Sequence, residues 1–90
     1  MVGRLVESKA GHDNKKRYII LHEDEKYVYI TDGRLHPLEK PKKKNKKHIV
    51  VLQYDIEEIR RAITQKERIT NEMIKHAIKV SKRDDSEKEN

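Results

Sequence analysis

The sequence predicts an α+β protein in which a small β-barrel is followed by a helical C-terminal extension. Short runs rich in β-branched and aromatic residues, separated by turn residues, fill the first half of the chain. After Tyr54 the apolar residues recur at helical spacing instead. Several short strands with tight turns within about fifty residues favour a closed or half-closed barrel.

The amino-acid composition limits the classes of function that the chain can have. The chain has 90 residues and a net charge of +6 at pH 7, with 42% charged and 33% hydrophobic residues. Such a chain supports one small domain with a thin core, so a catalytic cleft is not expected. With no cysteine, disulfides and thiolate metal sites are excluded. The N-terminus "MVGRLVES" has no long apolar stretch, which predicts a cytoplasmic protein. The excess of lysine and arginine attracts polyanions, and nucleic acid is the leading candidate.

The first strands are predicted from residue type and alternation. "GRLVES" predicts a strand and "KAGHDN" the loop after it, while "RYIILHE" and "KYVYITD" predict a hairpin connected by "EDEK". In the second strand of this hairpin, Val28 and Ile30 are expected to face inward. Tyr27, Tyr29 and Thr31 then lie on the opposite face.

The segment after the hairpin is predicted from its turn residues. The Asp32-Gly33 pair predicts a tight turn, because glycine adopts positive φ without steric hindrance. Residues 34–36 are expected to form a short strand that Pro37 ends. Pro41 and the lysines after it are predicted to form a loop, and "HIVVL" a further strand.

The second half of the chain predicts helices. Ile56, Ile59 and Ile63 form one apolar stripe at helical spacing. At the start of this helix, Asp55 and Glu58 match an acidic capping box, and Tyr54 and Ile59 match a hydrophobic staple.

A second helix is expected to follow. Thr70 is its predicted N-cap, Ile69 and Ile74 its staple, and Ile74, Ala77 and Ile78 its stripe. The intervening "TQKER" has no glycine or proline, so a continuous helix from Asp55 to Val80 stays open beside the preferred two helices. The predicted organisation is a barrel over 2–53, one or two helices packed on it over 54–80, and a disordered polar tail over 81–90.

One segment allows comparison with a known family. "GRLVESKAGHDNKKRYIIL" resembles the KOW motif, a β-hairpin signature built around a central glycine, here Gly11. The segments "YVYITDGRL" and "EKPKKKNKKH" extend the resemblance, so that it covers the stretch from about Val2 to Leu52. This stretch is similar to KOW-type RNA-binding proteins of Gram-positive bacteria. Those proteins are in turn similar to a family of archaeal and eukaryotic large-subunit ribosomal proteins. The resemblance implies an SH3-like barrel that contacts ribosomal or other structured RNA through the Gly11 loop and the basic segment, in translation or ribosome assembly.

The loop departs from the family pattern at one position. Members usually read "AGHDKGK", whereas this chain reads "AGHDNKK", with Lys15 at the glycine position. Asn14 tolerates left-handed geometry, so the turn is expected to survive with a shifted position. The change therefore bears on the RNA contact of the loop rather than on the fold.

The lysine segment predicts a polyanionic partner. Its closely spaced lysines repel one another in the free protein, whereas contacts with phosphates release condensed counterions. Lysine acts as a point charge, which suits affinity rather than base reading. The predicted RNA-binding residues are Lys9, Gly11, His12, Lys15, Lys16, Arg17, Arg34, Lys40, Lys42, Lys43, Lys44, Lys46 and Lys47.

Other functions are weighed against RNA binding. KOW modules and SH3-like barrels also bind proteins, so the stripe residues Ile59, Ile63, Ile74 and Ile78 could dock a transcription or translation partner, although packing on the barrel is preferred. Membrane binding is disfavoured because "KPKKKNKK" has no Phe, Trp or Leu to insert.

Base stacking, metal binding and catalysis are disfavoured as well. The tyrosines Tyr18, Tyr27, Tyr29 and Tyr54 could stack on bases, but are expected to serve the barrel wall and the helix staple. The five histidines lack metal-ligand spacing, and Ser8, His12 and Asp13 on one short loop do not make a catalytic triad. No cofactor and no enzymatic activity are expected.

Overall fold

The computed structural model describes residues 1–9, 15–53 and 56–89, with side chains through Arg83. Five strands precede two helices: β1 Leu5–Ser8, β2 Arg17–Glu23, β3 Tyr27–Thr31, β4 Lys42–Asn45, β5 Ile49–Val51, α1 Glu57–Thr64 and α2 Asn71–Glu89. A 3₁₀ turn, Lys46–His48, connects β4 to β5.

The strands form one antiparallel sheet in the order β4-β3-β2-β1-β5. The predicted hairpin is confirmed as β2 and β3, and the α+β class is confirmed by the sheet and the helices. Within the described ranges β4 and β5 are the outer strands and do not pair with each other. The sheet is therefore not a closed barrel, although the 3₁₀ turn carries the chain directly from one outer strand to the other.

Both faces of the sheet contribute to the core, because successive residues on a strand point to opposite sides. One face carries a cluster of Val6, Tyr18, Ile20, Val28, Ile30 and Ile49. The other face contributes Leu5 and Ile19 to a cluster completed by Ile59, Ile74, Ala77 and Ile78 from the helices. The predicted inward orientation of Val28 and Ile30 is thus confirmed, and the helices cover the opposite face of the sheet.

The prediction of two helices is confirmed. Lys66 follows α1 with a φ of 57°, a left-handed conformation that cannot continue an α-helix. Thr70 caps α2 as predicted, because its Oγ1 accepts a hydrogen bond of 3.2 Å from the backbone N–H of Met73. Ile56 occupies the N-cap position of α1 and makes no side-chain cap hydrogen bond. The predicted capping and staple residues Asp55 and Tyr54 lie outside the described residues.

Two predictions between β3 and β5 are wrong. The lysines after Pro41 form strand β4, in which Lys42 pairs with Ile30 and Lys44 with Val28. An edge strand leaves one side of its backbone unpaired. Lysines are common on such strands because their charge discourages pairing with another chain. Residues 34–36 form a turn instead of a strand, because Oδ1 of Asp32 accepts hydrogen bonds from the backbone N–H groups of Arg34 and His36, each 2.9 Å.

The polar tail was predicted to begin at Ser81, directly after Val80. Helix α2 continues past this residue, and Ser81 is completely buried. The Ser81 hydroxyl donates a hydrogen bond to the carbonyl of Ile78 at 2.6 Å and accepts one from Nη1 of Arg17 at 3.1 Å. A polar side chain with two such partners can be buried, which composition alone does not reveal.

Candidate nucleic-acid interface

A cleft of about 1040 Å³ lies between the start of β2, the turn after β3 and helix α2. We call it the basic cleft. Six cationic side chains line it: Lys16, Arg17, Arg34, Lys75, Lys79 and Lys82. Among the described residues, Asp32 is the one carboxylate in this lining, and Gly33, Leu35 and Ile78 complete it. Cations from three separate elements therefore converge on one concave surface.

The loop after β3 is attached to the start of α2 by Asn71. Its Oδ1 accepts a hydrogen bond from the backbone N–H of Leu38 at 2.8 Å, and its Nδ2 donates to the Glu39 carboxylate at 3.0 Å. On the sheet side, Gly33 has a φ of 75°, as the predicted turn requires. Arg34 is thereby held beside the lysines of α2.

Arg17 connects the sheet to α2 in the wall of the basic cleft. Its guanidinium donates to the Ser81 hydroxyl and lies 3.5 Å, through Nε, from the Glu7 carboxylate. On α2, Nζ of Lys75 lies 2.6 Å from the Glu72 carboxylate, a pair on the helix surface. These contacts orient the two cations but leave a large excess of positive charge in the cleft lining.

The second basic surface is β4 with the flanking Lys40, Lys46 and Lys47, which we call the lysine strand. Lys42 and Lys44 lie half-buried on one face of the sheet edge, whereas Lys43 is exposed on the other. Burial lowers the pKa of Lys42, and the charge of Lys44 lowers it further. This electrostatic strain agrees with the predicted repulsion between the lysines in the free protein.

Lys46 is engaged within the protein. Its Nζ lies 3.0 Å from Oε1 of Glu23, whose Oε2 accepts a 2.6 Å bond from the N-terminal amino group of Met1. Hydrogen bonds from the amino terminus and then from Lys46 lower the pKa of Glu23. A phosphate must therefore compete with Glu23 for Lys46.

The structure divides the predicted RNA-binding residues into groups. Lys16, Arg17 and Arg34 meet in the basic cleft, and Lys40, Lys42, Lys43, Lys44, Lys46 and Lys47 belong to the lysine strand. Lys9 is exposed close to the lysine strand, since its backbone N–H donates to the carbonyl of His48, the residue after Lys47, at 3.0 Å. Lys15 is exposed opposite Ser8. Gly11 and His12 lie outside the described residues.

Lys15 itself has a left-handed backbone, with a φ of 67°. The position that usually holds glycine in the resembling family thus has the geometry that favours glycine. The predicted substitute, Asn14, lies outside the described residues. The conformation of Lys15 is supported by a 2.7 Å hydrogen bond from its backbone N–H to the carbonyl of Ser8.

Three residues of the cleft were missed by the sequence analysis. Lys75, Lys79 and Lys82 are spaced four and three residues apart, which places them on one face of a helix. This spacing was readable from the sequence. Their proximity to Lys16, Arg17 and Arg34 was not, because it depends on the packing of α2 against the sheet.

Comparison with known proteins gives no identification: no family model matches the chain, and no significant match is found among curated proteins. None of the helices in the described ranges is long and apolar enough to cross a membrane. Across the side chains that the structure describes, in 1–9, 15–53 and 56–83, no three His, Asp or Glu residues form a group that could hold a metal ion. Ser8 is buried within β1, whereas His12 and Asp13 lie outside the described residues.

Proposed function

We propose that this protein binds structured RNA without catalysis, as a KOW-type protein acting on ribosomal RNA in translation or ribosome assembly. The observation that carries the proposal is the basic cleft, where six cationic side chains from β2, the turn after β3 and α2 line one concave surface. A concave surface with a large excess of positive charge concentrates its field and attracts polyanions. The phosphates of a folded RNA are such a polyanion.

The architecture of the cleft suits recognition of shape. Double-stranded RNA is bound mainly through its backbone and its A-form geometry, since its major groove is too narrow for side chains to read. Flexible lysines on a rigid helix can follow the phosphates without reading bases. Arg17, fixed by Ser81 and Glu7, supplies a more defined contact at the sheet end of the cleft.

The lysine strand extends the interface. Its charges repel one another in the free protein, and a bound phosphate would relieve that repulsion as well as releasing counterions. We assign the sheet to the SH3-like class as part of this proposal. The assignment is supported by the position of β1, which pairs with both β2 and β5 and so brings the first and last strands of a small antiparallel sheet together.

A protein-docking module is the second candidate. The helix residues expected to contact such a partner are mostly engaged: Ile59, Ile74 and Ile78 are 2%, 0% and 8% exposed in the core against the sheet. A groove of about 340 Å³ between the helices, lined by Ile56, Met73 and Val80 among others, is the surface left for a partner. Glu57 and Glu58 also line it, so it is not suited to RNA.

The test is the salt dependence of binding to a hairpin RNA. A cleft variant, K75Q/K79Q/K82Q, removes the three lysines of α2, and a strand variant replaces Lys42, Lys43, Lys44, Lys46 and Lys47 by glutamine. A control variant, R61Q/K66Q/R68Q, removes three exposed charges from the end of α1 and the connection after it.

We expect the cleft variant to bind more weakly and with a flatter logarithmic salt dependence, by about 0.7–0.9 for each phosphate that the variant no longer neutralises. The strand variant should behave likewise for every RNA sequence, and the control should bind like the wild type. If the cleft variant and the control bind equally well, the cleft is not the binding site.

A further inference from the structure

Near the turn between β2 and β3, the hairpin carries aromatic side chains that belong to neither core cluster. Tyr27 and Tyr29 alternate with the buried Val28 and Ile30 on β3, and are half-buried. His22 on β2 pairs with Tyr29 and is exposed, with its ring centroid 5.5 Å from that of Tyr29 and the two planes 36° apart. We call Tyr27, Tyr29 and His22 the aromatic platform.

Two lysines flank the aromatic platform. Nζ of Lys43 lies 4.3 Å from the ring centroid of Tyr27, and Nζ of Lys26 lies 6.0 Å from it. Lys43 is on the edge strand β4, directly opposite Tyr29 in the pairing register. Cations at this distance are attracted to the ring face. Aromatic rings and cationic groups are therefore adjacent on one surface.

The aromatic platform is fixed in the free protein by Asp24. Its Oδ1 accepts hydrogen bonds from the backbone N–H groups of Lys26 and Tyr27 at 2.9 and 2.7 Å, and its Oδ2 accepts one of 3.4 Å from the Tyr29 hydroxyl. These bonds fix the turn between β2 and β3 and occupy the Asp24 carboxylate beside the Tyr29 ring. A rigid surface loses little conformational entropy on binding.

We propose that the aromatic platform binds an unpaired nucleotide of RNA. The base stacks on the part of the half-buried Tyr27 and Tyr29 rings that stays open to solvent, and its flanking phosphates are bound by Lys43 and Lys26. Every base has a π-face, so this contact tolerates any sequence, and the adjacent cations favour a ligand that is both planar and anionic. The inference rests on the proposed RNA-binding function and adds a single-stranded subsite to it, at residues that do not line the basic cleft.

The probes are a ten-nucleotide oligouridylate, an abasic oligomer with the same number of phosphates, and a hairpin RNA without unpaired overhangs. The test variant is Y27L/Y29L, which removes both rings but keeps apolar side chains. Its matched control is Y27F/Y29F, which keeps both rings and loses only the hydroxyls. Thermal unfolding verifies that both variants fold.

We expect Y27L/Y29L to lose between about 5-fold and 150-fold in affinity for the oligouridylate, because stacking on one or two rings is removed. Its affinity for the abasic oligomer should not change, and Y27F/Y29F should bind both probes like the wild type. Equal losses for the oligouridylate and the abasic oligomer, or no loss for either, would overturn the proposal.

Two further measurements test the aromatic platform when the variant does not fold, and separate it from the basic cleft. If Y27L/Y29L does not fold, tyrosine fluorescence of the wild type decides: quenching by the oligouridylate but not by the abasic oligomer is expected, and equal responses contradict stacking. The hairpin RNA has no unpaired nucleotide, so it tests the basic cleft and the lysine strand but not the aromatic platform. Failure of hairpin binding refutes the proposed function, whereas failure of oligouridylate discrimination refutes only the aromatic platform.

Discussion

A Cβ atom placed on Gly33 would lie 2.6 Å from the carbonyl oxygen of Asn71, in the first turn of α2. The turn after β3 and the helix thus approach each other backbone to backbone, with Ile74 and Lys75 also within 3.2 Å of that Cβ position. This contact places Arg34 in the same cleft as the lysines of α2. The position of the helix, and hence the shape of the basic cleft, depends on a glycine here.

We therefore predict that Gly33→Ala destabilises the protein by about 2 kcal/mol or more, because a side chain is strained at a φ of 75° and clashes with the helix backbone. Urea denaturation measures this, and affinity for hairpin RNA should fall with it. Arg34→Ala is the comparison: it removes an exposed cleft cation, and should weaken binding while stability changes little. Wild-type stability of Gly33→Ala would show that the helix is not held by this contact.

At Lys15 the opposite substitution should stabilise the protein. Replacing Lys15 by glycine relieves the left-handed strain at a φ of 67°, and after the greater chain entropy of glycine is subtracted we expect a gain of about 0.5–1 kcal/mol. Lys16→Gly, one residue later and without positive φ, should instead be neutral or destabilising. A Lys15→Gly protein less stable than the wild type in urea would contradict the assigned backbone geometry.

Glu23→Gln should release Lys46 for RNA. The variant loses two ion pairs at the protein surface, so stability should fall by no more than about 1 kcal/mol. Affinity for hairpin RNA should rise about two- to fivefold, since one negative charge is removed and Lys46 is freed. An unchanged or lower affinity would place Lys46 outside the interface.

The same substitution has a signature in the pH dependence of stability. Because the pKa of Glu23 is lowered in the folded state, its contribution is present above the unfolded pKa and is lost as the pH falls through the lowered value. Glu23→Gln should lack this acid-side component, which denaturation at a series of pH values detects. Identical acid profiles for variant and wild type would show that the ion pairs do not stabilise the fold.

Lys42 should make the free protein less stable at neutral pH. Its pKa is lowered in the folded state, so the unfolded chain holds the proton more firmly, and stability should rise as the pH approaches 10.5, the ordinary lysine value. Lys42→Gln should remove that rise and leave the free protein at least as stable, while weakening RNA binding. Lys47→Gln, at an exposed position, controls for the lost charge. A marked loss of stability in Lys42→Gln would mean that its stem packing outweighs its charge.

Local signals in the sequence predicted several elements correctly. Alternation identified Val28 and Ile30 as core residues, and the Thr70 cap identified the start of α2 to within one residue. The strand alternation and the helix cap both depend on residues that are close in the sequence, so local patterns are enough to predict them.

Features that depend on distant contacts were not predictable in this way. Strand β4 is a run of lysines whose strand conformation comes from pairing with β3, as in the pair of Tyr29 and Lys43. Ser81 is buried because Arg17, far away in the sequence, supplies a partner. The basic cleft itself exists only once α2 packs against the sheet.

Crosslinking and sequencing of RNA bound in cells, with wild type and the K75Q/K79Q/K82Q cleft variant in parallel, tests the proposed function most directly. We predict sharp crosslinks at a defined site in ribosomal RNA that are lost in the cleft variant and retained in the R61Q/K66Q/R68Q control. Diffuse or absent crosslinks, or crosslinks that persist in the cleft variant, would contradict a specific RNA-binding role for the cleft and direct attention to a protein partner in the groove between the helices.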